Sequence, residues 1–168
     1  INEEFVEELR MFKAGDKIGI VCCSNGQKPS YAQKISHLET TLTEIGLQPV
    51  FSNYIYEKGS IFSGTERERA DVLMEFYRDD EIKGIFDISG GDVANGILPY
   101  LDYSIIAGSS KLFWGYSDLT TVINAIYAKY DLPEKFKNEN GSYNLNLLNY
   151  QRFARLSGVV EEAALPED

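Results

Sequence analysis

The residues most able to do chemistry in this sequence are Ser117 and Asp118, which separate an apolar run from an apolar helical pattern. Residues 112–114 form the run, which predicts a buried strand that ends at Gly115, and from Leu119 onward the apolar residues recur at helical spacing. A strand that turns sharply into a helix can hold a serine hydroxyl above a sheet, beside N–H groups that the first helical turn leaves unpaired. Serine and aspartate are also the ordinary residues of a helix N-cap. The pattern therefore leaves an activated serine and a plain cap as two open interpretations.

An activated serine needs a general base, a group that orients the base, and N–H donors for the oxyanion. The backbone N–H of Asp118 can supply one donor, and the Gly90-Gly91 pair can supply another because backbone without side chains approaches a substrate closely. The base is harder to find. His37 is the single histidine and falls inside a predicted helix, so we expect a solvated helix-face residue and no complete Ser-His-acid set.

Other polar candidates give weaker signals. Asp87 and Asp92 flank the glycine pair, and we expect carboxylates this close in sequence to be solvated rather than catalytic. The glycines do not follow the Gly-x-Gly-x-x-Gly spacing of a dinucleotide-binding loop. Cys22 and Cys23 are adjacent and have no distant partner, so they predict no disulfide and no zinc site, only packing as small apolar side chains.

Length and charge narrow the class of protein. A chain of 168 residues suits one domain with a hydrophobic core. The formal net charge of −10 argues against a nucleic-acid partner, since phosphate binding needs clustered Lys and Arg. No apolar run is long enough for a bilayer, and the N-terminus lacks the features of a signal peptide, so we expect a cytoplasmic protein with no membrane partner.

Apolar runs alternate with helical patterns along the chain. We predict strands at residues 17–23, 47–56, 83–89 and 112–114. We predict a helix from Tyr31 to a C-cap at Gly46 and a second helix that begins at a capping box of Thr65 and Glu68. A short helix over residues 93–98 should end at Pro99, and a further helix should begin at Leu119. This order predicts an α/β fold, a flavodoxin-like three-layer sandwich with a mainly parallel sheet. Ligands of such sheets bind beyond the carboxyl ends of the strands, where the loops at residues 24–26, 90–92 and 116–118 should meet.

The chain divides into three predicted parts. Residues 1–13 form an N-terminal arm or short helix, and residues 14–130 form the α/β domain that bears the serine. The polar stretch and weak apolar pattern of residues 131–168 predict a linker and a terminal helix.

Three motifs together resemble the LD-carboxypeptidase family of serine peptidases, which includes murein tetrapeptide carboxypeptidases and microcin C immunity proteins. They are Gly-Asp-Lys-Ile-Gly-Ile-Val from Gly15, Ile-Ser-Gly-Gly-Asp from Ile88 with Leu-Pro-Tyr-Leu-Asp from Leu98, and Phe-Trp-Gly-Tyr-Ser-Asp-Leu-Thr from Phe113. Their order and separations are those of the family over residues 14–130.

The resemblance implies that Ser117 is the nucleophile and that the N–H groups of Asp118 and Gly91 form the oxyanion hole. Gly90 and Asp92 would then contact the substrate, either a murein tetrapeptide or a peptidyl-nucleotide. The resemblance also implies no metal or cofactor and a possible homodimer. In the family the glutamate and histidine of the triad belong to a separate C-terminal domain, so this chain would be the N-terminal half and inactive alone.

One alternative stays open at the level of sequence. The glycine pair is often preceded by arginine in the family, whereas this chain has Ser89. Together with the single histidine, this difference favours a non-catalytic α/β module or subunit that binds a small ligand or peptide at the sheet edge.

Overall fold

A four-stranded parallel sheet forms the centre of the computed structural model, which describes residues 12–127. The strands are β1 (Lys17–Val21), β2 (Gln48–Phe51), β3 (Ile82–Asp87) and β4 (Leu112–Trp114), in the order β2-β1-β3-β4. All three neighbouring pairs are parallel. The predicted α/β fold with a parallel sheet is confirmed.

The two faces of the sheet carry separate cores because successive strand residues point to opposite sides. Ile18 and Ile20 of β1 pack on one face with Leu42. Val21 of β1 and Ile85 of β3 pack on the other face in a larger cluster. Since both faces are covered, β1 has the continuous apolar sequence of a central parallel strand.

The first helix, α1 (Ala32–Glu44), covers the first of these faces. Gly46 follows it with a φ of +91°, the left-handed conformation that glycine adopts at a helix C-terminus, as predicted. The helical spacing of Tyr31, Ile35, Leu38, Leu42 and Ile45 predicts an apolar stripe, of which only Leu42 is fully buried, and Tyr31 and Ile45 at its ends are exposed. His37 is exposed on this helix, as expected.

The second helix, α2 (Glu66–Arg78), begins with the predicted capping box. The Thr65 side chain accepts a hydrogen bond from the Glu68 N–H at 3.2 Å, and the Thr65 N–H donates to the Glu68 carboxylate at 2.8 Å. Its apolar face, which the helical spacing of Ala70, Leu73, Met74 and Tyr77 predicts, is buried, and so is Arg69.

Two elements differ from their predictions near the ends of strands. Strand β2 stops at Phe51, where the Ser52 hydroxyl accepts from the Tyr54 N–H at 2.9 Å and turns the chain. The helix after β3 is a 3₁₀ helix, Ala94–Tyr100, which contains Pro99 instead of ending before it. Proline is tolerated in this seven-residue 3₁₀ helix because its fixed φ suits the helix and only one N–H donor is lost.

A short helix, α3 (Tyr103–Ala107), was not predicted, because five residues give too little apolar periodicity. The Asp102 carboxylate caps it by accepting from the N–H groups of Ser104 and Ile105 at 3.0 and 3.2 Å. The last described helix, α4 (Leu119–Tyr127), buries the predicted apolar face: Leu119, Val122, Ile123 and Ile126.

Strand β4 lies at an edge of the described sheet and is half-buried, whereas the sequence predicted a buried strand. Its Trp114 packs edge-on against Phe86 of β3, with ring centroids 4.7 Å apart. The predictions for residues 1–11 and 131–168 lie outside the described residues. Within residues 12–127, every helix is too short or too polar to cross a membrane.

The capping box predicts a measurable loss of stability in the variant Thr65→Ala. Removing the hydroxyl leaves an N–H of the first turn of α2 without its acceptor, so we expect the free energy of unfolding to fall by about 0.5–2 kcal/mol. Urea denaturation measures the change. The control is Thr40→Ala in the middle of α1, where the hydroxyl only bonds the Ser36 carbonyl at 3.0 Å. Equal losses in the two variants would contradict the capping role.

Candidate active site

The candidate site lies where β1, β3 and β4 end. The chain crosses from β1 to β2 on one side and then from β2 past β1 to β3 on the other, so the direction of the crossovers reverses beside β1. The carboxyl ends of strands at such a switch point leave a crevice for ligands. The loops after β1, β3 and β4 meet there, as the sequence predicted, through the contacts described below.

Ser117 occupies the turn between β4 and α4 with an unusual backbone conformation. Its φ is +56°, and it is the only non-glycine residue with a positive φ among residues 12–127. The residue is exposed, and within that part of the chain its hydroxyl has no hydrogen-bond partner. A strained strand-to-helix turn that presents a serine to solvent is the geometry of a nucleophile elbow.

Asp118 does not cap its own helix, although it immediately precedes α4. Its carboxylate accepts from the Ser24 hydroxyl at 2.5 Å and from the Ala94 N–H at 2.7 Å. One side chain therefore joins the serine turn to the loops after β1 and β3. The side chains of Ser117 and Asp118 do not satisfy the helix N-terminus, so the plain-cap interpretation does not describe this turn.

Gly90 and Gly91 bring bare backbone next to the serine. A Cβ added to Gly90 would lie 3.8 Å from the Ser117 Cβ and 3.9 Å from its Oγ. Gly91 has a φ of +136°, and the Asn25 side chain fills the space that its Cβ would need. Gly91 is therefore required by both conformation and packing, whereas a Cβ at Gly90 would make only ordinary contacts with the serine.

Asn25 also fixes this loop through hydrogen bonds. Its N–H donates to the Gly90 carbonyl at 3.2 Å, and its Oδ1 accepts from the Asp92 N–H at 3.4 Å. By contrast, the N–H groups of Gly91 and Asp118 donate to no other residue of the described chain. Two unpaired amide donors thus belong to the two loops that flank the serine hydroxyl.

The expectation that Asp87 is solvated was wrong. Its carboxylate is buried at the end of β3 and accepts from the N–H groups of Cys23 and Ser89, both at 2.7 Å, and from the Ser89 hydroxyl at 2.6 Å. Burial raises the pKa of Asp87, while these hydrogen bonds oppose the rise. Asp87 therefore ties the ends of β1 and β3 together beneath the loops, whereas Asp92 is exposed, as expected.

Ser89 belongs to the same buried network. It is 1% exposed, and its hydroxyl accepts from the Ser24 N–H at 2.9 Å. The residue before the glycine pair thus packs inward in this protein and does not line the exposed crevice.

Both cysteines are buried and free, which confirms that they pack as small apolar side chains. Burial raises the pKa of the Cys22 thiol and of the Cys23 thiol, and the nearby Asp87 carboxylate raises both further. A thiolate nucleophile is therefore disfavoured at this edge of the sheet. Ser117 is the candidate nucleophile that combines exposure with a strained turn.

Three residues that build the site were not predicted from the sequence: Ser24, Asn25 and Arg69. Ser24 and Asn25 were assigned only to a loop, and nothing in their spacing shows that they contact residues about 65–95 positions away. Arg69 did leave a signal, because it falls one turn before Leu73 on the apolar face of α2. A charged residue on a buried stripe indicates a specific polar role.

Known proteins resemble this chain over the region that carries the site. The sequence profile of the LD-carboxypeptidase N-terminal domain matches residues 18–137. This chain belongs to the LD-carboxypeptidase family. The match extends from β1 through the serine turn and includes all three loops of the candidate site.

Relatives in the family carry two kinds of name. A probable murein peptide carboxypeptidase of Bacillus subtilis is 32% identical over 113 residues, which cover 67% of this chain and 34% of the relative. The microcin C7 self-immunity protein MccF of Escherichia coli is 43% identical over 67 residues, which cover 40% of this chain and 20% of MccF.

Among solved structures, an MccF-like protein of Bacillus anthracis has a TM-score of 0.66 and 36% identity, covering 70% of this chain and 36% of that protein. MccF in complex with aspartyl sulfamoyl adenosine has a TM-score of 0.61 and 27% identity, covering 91% of this chain and 47% of MccF. The chain spans about a third of the length of the curated relatives that match most of it.

The left-handed conformation of Ser117 predicts a difference between two variants that both lack the hydroxyl. We expect the free energy of unfolding of Ser117→Gly to exceed that of Ser117→Ala by roughly 0.5–1 kcal/mol. Glycine adopts a left-handed φ without steric cost, and this gain exceeds the added conformational entropy that glycine gives the unfolded chain. Denaturation of both variants under one set of conditions measures the difference. Equal stabilities would mean that the turn is not strained.

The contact between Gly91 and Asn25 predicts that Gly91→Ala is poorly tolerated. The new methyl group needs the space of the Asn25 amide and a strained φ, so we expect a loss of about 2 kcal/mol or more in the free energy of unfolding. Gly59→Ala is the matched control, because Gly59 also has a positive φ but nothing lies within 4 Å of its added Cβ. A loss no larger than that of the control would show that the loop accommodates a side chain.

Proposed function

We propose that this protein is a serine hydrolase of the LD-carboxypeptidase type and that Ser117 is its nucleophile. The observation that carries the proposal is the exposed, unpaired Ser117 hydroxyl on a left-handed turn beside Gly90. A serine in this conformation has its hydroxyl presented to the crevice, and the strain of the turn is maintained by the surrounding contacts of Asp118.

The proposed reaction is acyl transfer from an amide. The Ser117 Oγ attacks the carbonyl carbon while a general base takes the hydroxyl proton. The C–N bond then breaks, the amine leaves with that proton, and water hydrolyses the acyl-enzyme to restore the serine. The N–H groups of Asp118 and Gly91 hold the developing oxyanion, which their unpaired state in the described chain supports. Gly90 and Asp92 form the adjoining substrate contacts.

We infer that the general base comes from outside the described residues. The sequence contains one histidine, His37, and this residue is exposed on α1 and belongs to none of the three loops. The relatives are about three times as long as the matched region. A C-terminal domain that carries the glutamate and histidine of the triad would account for the difference in length. Residues 14–130 are then the nucleophile-bearing domain, and this chain alone hydrolyses almost nothing.

Two substrate classes follow from the relatives. One relative is named a probable murein peptide carboxypeptidase, and a similar solved structure holds aspartyl sulfamoyl adenosine. We therefore propose a murein tetrapeptide or a peptidyl-nucleotide as the substrate, with recycling of peptidoglycan or microcin immunity as the corresponding role. A cytoplasmic location stays a prediction from the N-terminal sequence and the lack of a long apolar run, and a homodimer stays a prediction from the family resemblance.

The proposed function predicts that Ser117→Ala abolishes hydrolysis by the full-length protein. We expect wild type to release the C-terminal residue of a murein tetrapeptide or the amine of a peptidyl-adenylate, and we expect the variant to lose at least about 10³-fold in kcat. Mass spectrometry of the end products measures both reactions. Ser110→Ala, at another exposed serine, is the control and should retain wild-type activity.

A fluorophosphonate probe provides a second measurement. It should label Ser117 in the full-length protein and label the isolated 168-residue chain far more slowly, because the serine stays protonated without a base. Equal labelling rates would contradict the inference that this chain alone hydrolyses almost nothing. A wild-type protein that cleaves neither substrate would instead favour a binding module.

A further inference from the structure

Arg69 is the most deeply buried charged residue among residues 12–127, with 1% of its surface exposed. It extends from α2 towards the candidate site, and its guanidinium lies 5.8 Å from the centre of the Phe62 ring. Its Nη1 donates to three backbone carbonyls: the Cys23 carbonyl, and the Ser24 and Val93 carbonyls at 3.3 Å each. One guanidinium thus binds the loops that follow β1 and β3.

The surroundings of Arg69 contain carboxylates, but none of them forms an ion pair with it in the described chain. Burial lowers the pKa of Arg69, and the negative charges of Glu66, Asp87 and Asp118 oppose that shift. Its Nε and Nη2 have no partner among the described residues. A buried cation whose hydrogen bonds go only to carbonyls is costly to desolvate, and stability alone does not account for it.

We propose that Arg69 is a positioning residue for the reaction at Ser117. It holds the loops after β1 and β3 against each other, and its positive charge offsets the carboxylates that surround the developing oxyanion. This inference rests on the proposed function, because it assigns Arg69 to the same reaction.

The positioning part follows from a short chain of contacts. Arg69 binds the Ser24 carbonyl, and the next residue, Asn25, bonds the Gly90 carbonyl and packs into the space beside Gly91. Arg69 also binds the Val93 carbonyl, two residues after Gly91. Both sides of the glycine loop are therefore fixed relative to one guanidinium, and so is the direction of the Gly91 N–H.

The electrostatic part follows from the charges at the site. Asp118 flanks the serine directly, and Asp87 lies buried at the end of β3, while the whole sequence has a formal net charge of −10. Negative charge that develops on a substrate oxygen is destabilised by these carboxylates, more strongly where water is excluded. Arg69 supplies positive charge from below the loops without occupying the crevice.

The experiment compares four forms of the full-length protein: wild type, Arg69→Met, Arg69→Lys and Arg67→Met. Arg67 is the matched control, because it lies on the same helix, is exposed and contacts surface groups: it forms a 3.9 Å ion pair with Asp71 and lies 5.7 Å from the centre of the exposed Tyr100 ring. Two measurements are made on each form. The first gives kcat and KM for a murein tetrapeptide and a peptidyl-adenylate, and the second gives amide hydrogen exchange at Asn25 and Ala94, with Ile85 as an internal reference.

For Arg69→Met we expect kcat to fall roughly 10- to 100-fold while KM stays within about threefold, because the loss appears only in the transition state. Exchange at Asn25 and Ala94 should rise at least about tenfold relative to Ile85 as the loops separate. Arg69→Lys keeps the positive charge but not the planar guanidinium. Its kcat should therefore be about tenfold higher than that of Arg69→Met, while amide exchange at Asn25 and Ala94 stays fast. The Arg67→Met control should match wild type within about twofold in both measurements.

Several outcomes would overturn the proposal. If Arg69→Met has the kcat of wild type, or if the substitution changes only KM, then Arg69 does not position the reacting groups. If kcat of Arg69→Lys is no higher than that of Arg69→Met, the positive charge does not assist the reaction and Arg69 is only a structural contact. If Arg69→Met does not fold, wild-type kcat and exchange in Arg69→Lys overturn the proposal instead. If wild type cleaves neither substrate, the proposed function fails, and unchanged exchange in the Arg69 variants then overturns the loop contact separately.

Discussion

The arrangement of this site depends on one hydrogen-bonded carboxylate, that of Asp118. It accepts from the Ser24 hydroxyl and the Ala94 N–H, so a single side chain joins the three loops that meet beyond the sheet. Because Asp118 is covalently attached to Ser117, fixing its carboxylate also fixes the turn that presents the serine hydroxyl. A charged acceptor forms stronger hydrogen bonds than a neutral one, which suits a contact that must maintain a strained residue.

A second polar layer lies beneath this contact and explains why so many polar groups are buried near the ends of β1 and β3. Asp87 binds the N–H groups of Cys23 and Ser89, and Arg69 binds carbonyls of the loops above. Loops at the carboxyl ends of strands leave backbone groups that no sheet partner satisfies, and buried side chains provide the missing partners. Buried polar side chains, rather than apolar ones alone, therefore support the loops of the site.

This construction concentrates strain and charge in one region. Ser117 has a left-handed φ and Gly91 has a φ that side chains rarely adopt, yet the apolar clusters on both faces of the sheet are ordinary. Binding sites are commonly less stable than the scaffold that carries them, since strain and unpaired donors there serve the ligand rather than the fold. Membership of the LD-carboxypeptidase family agrees with such a division between scaffold and site.

The sequence alone determined the α/β class, the alternation of strands and helices, the capping box at Thr65 and the C-cap at Gly46, because these features depend on local periodicity and on residues three or four positions apart. It also singled out Ser117 at a strand-to-helix turn. Only the tertiary structure decided that Asp118 turns away from its own helix and that Asp87 and Arg69 are buried. The hydrogen-bond partners of these three residues lie between 24 and 94 positions away along the chain, apart from the contacts of Asp87 with Ser89. Such contacts depend on how the crossovers bring strand ends together, and no local pattern in the sequence records that geometry.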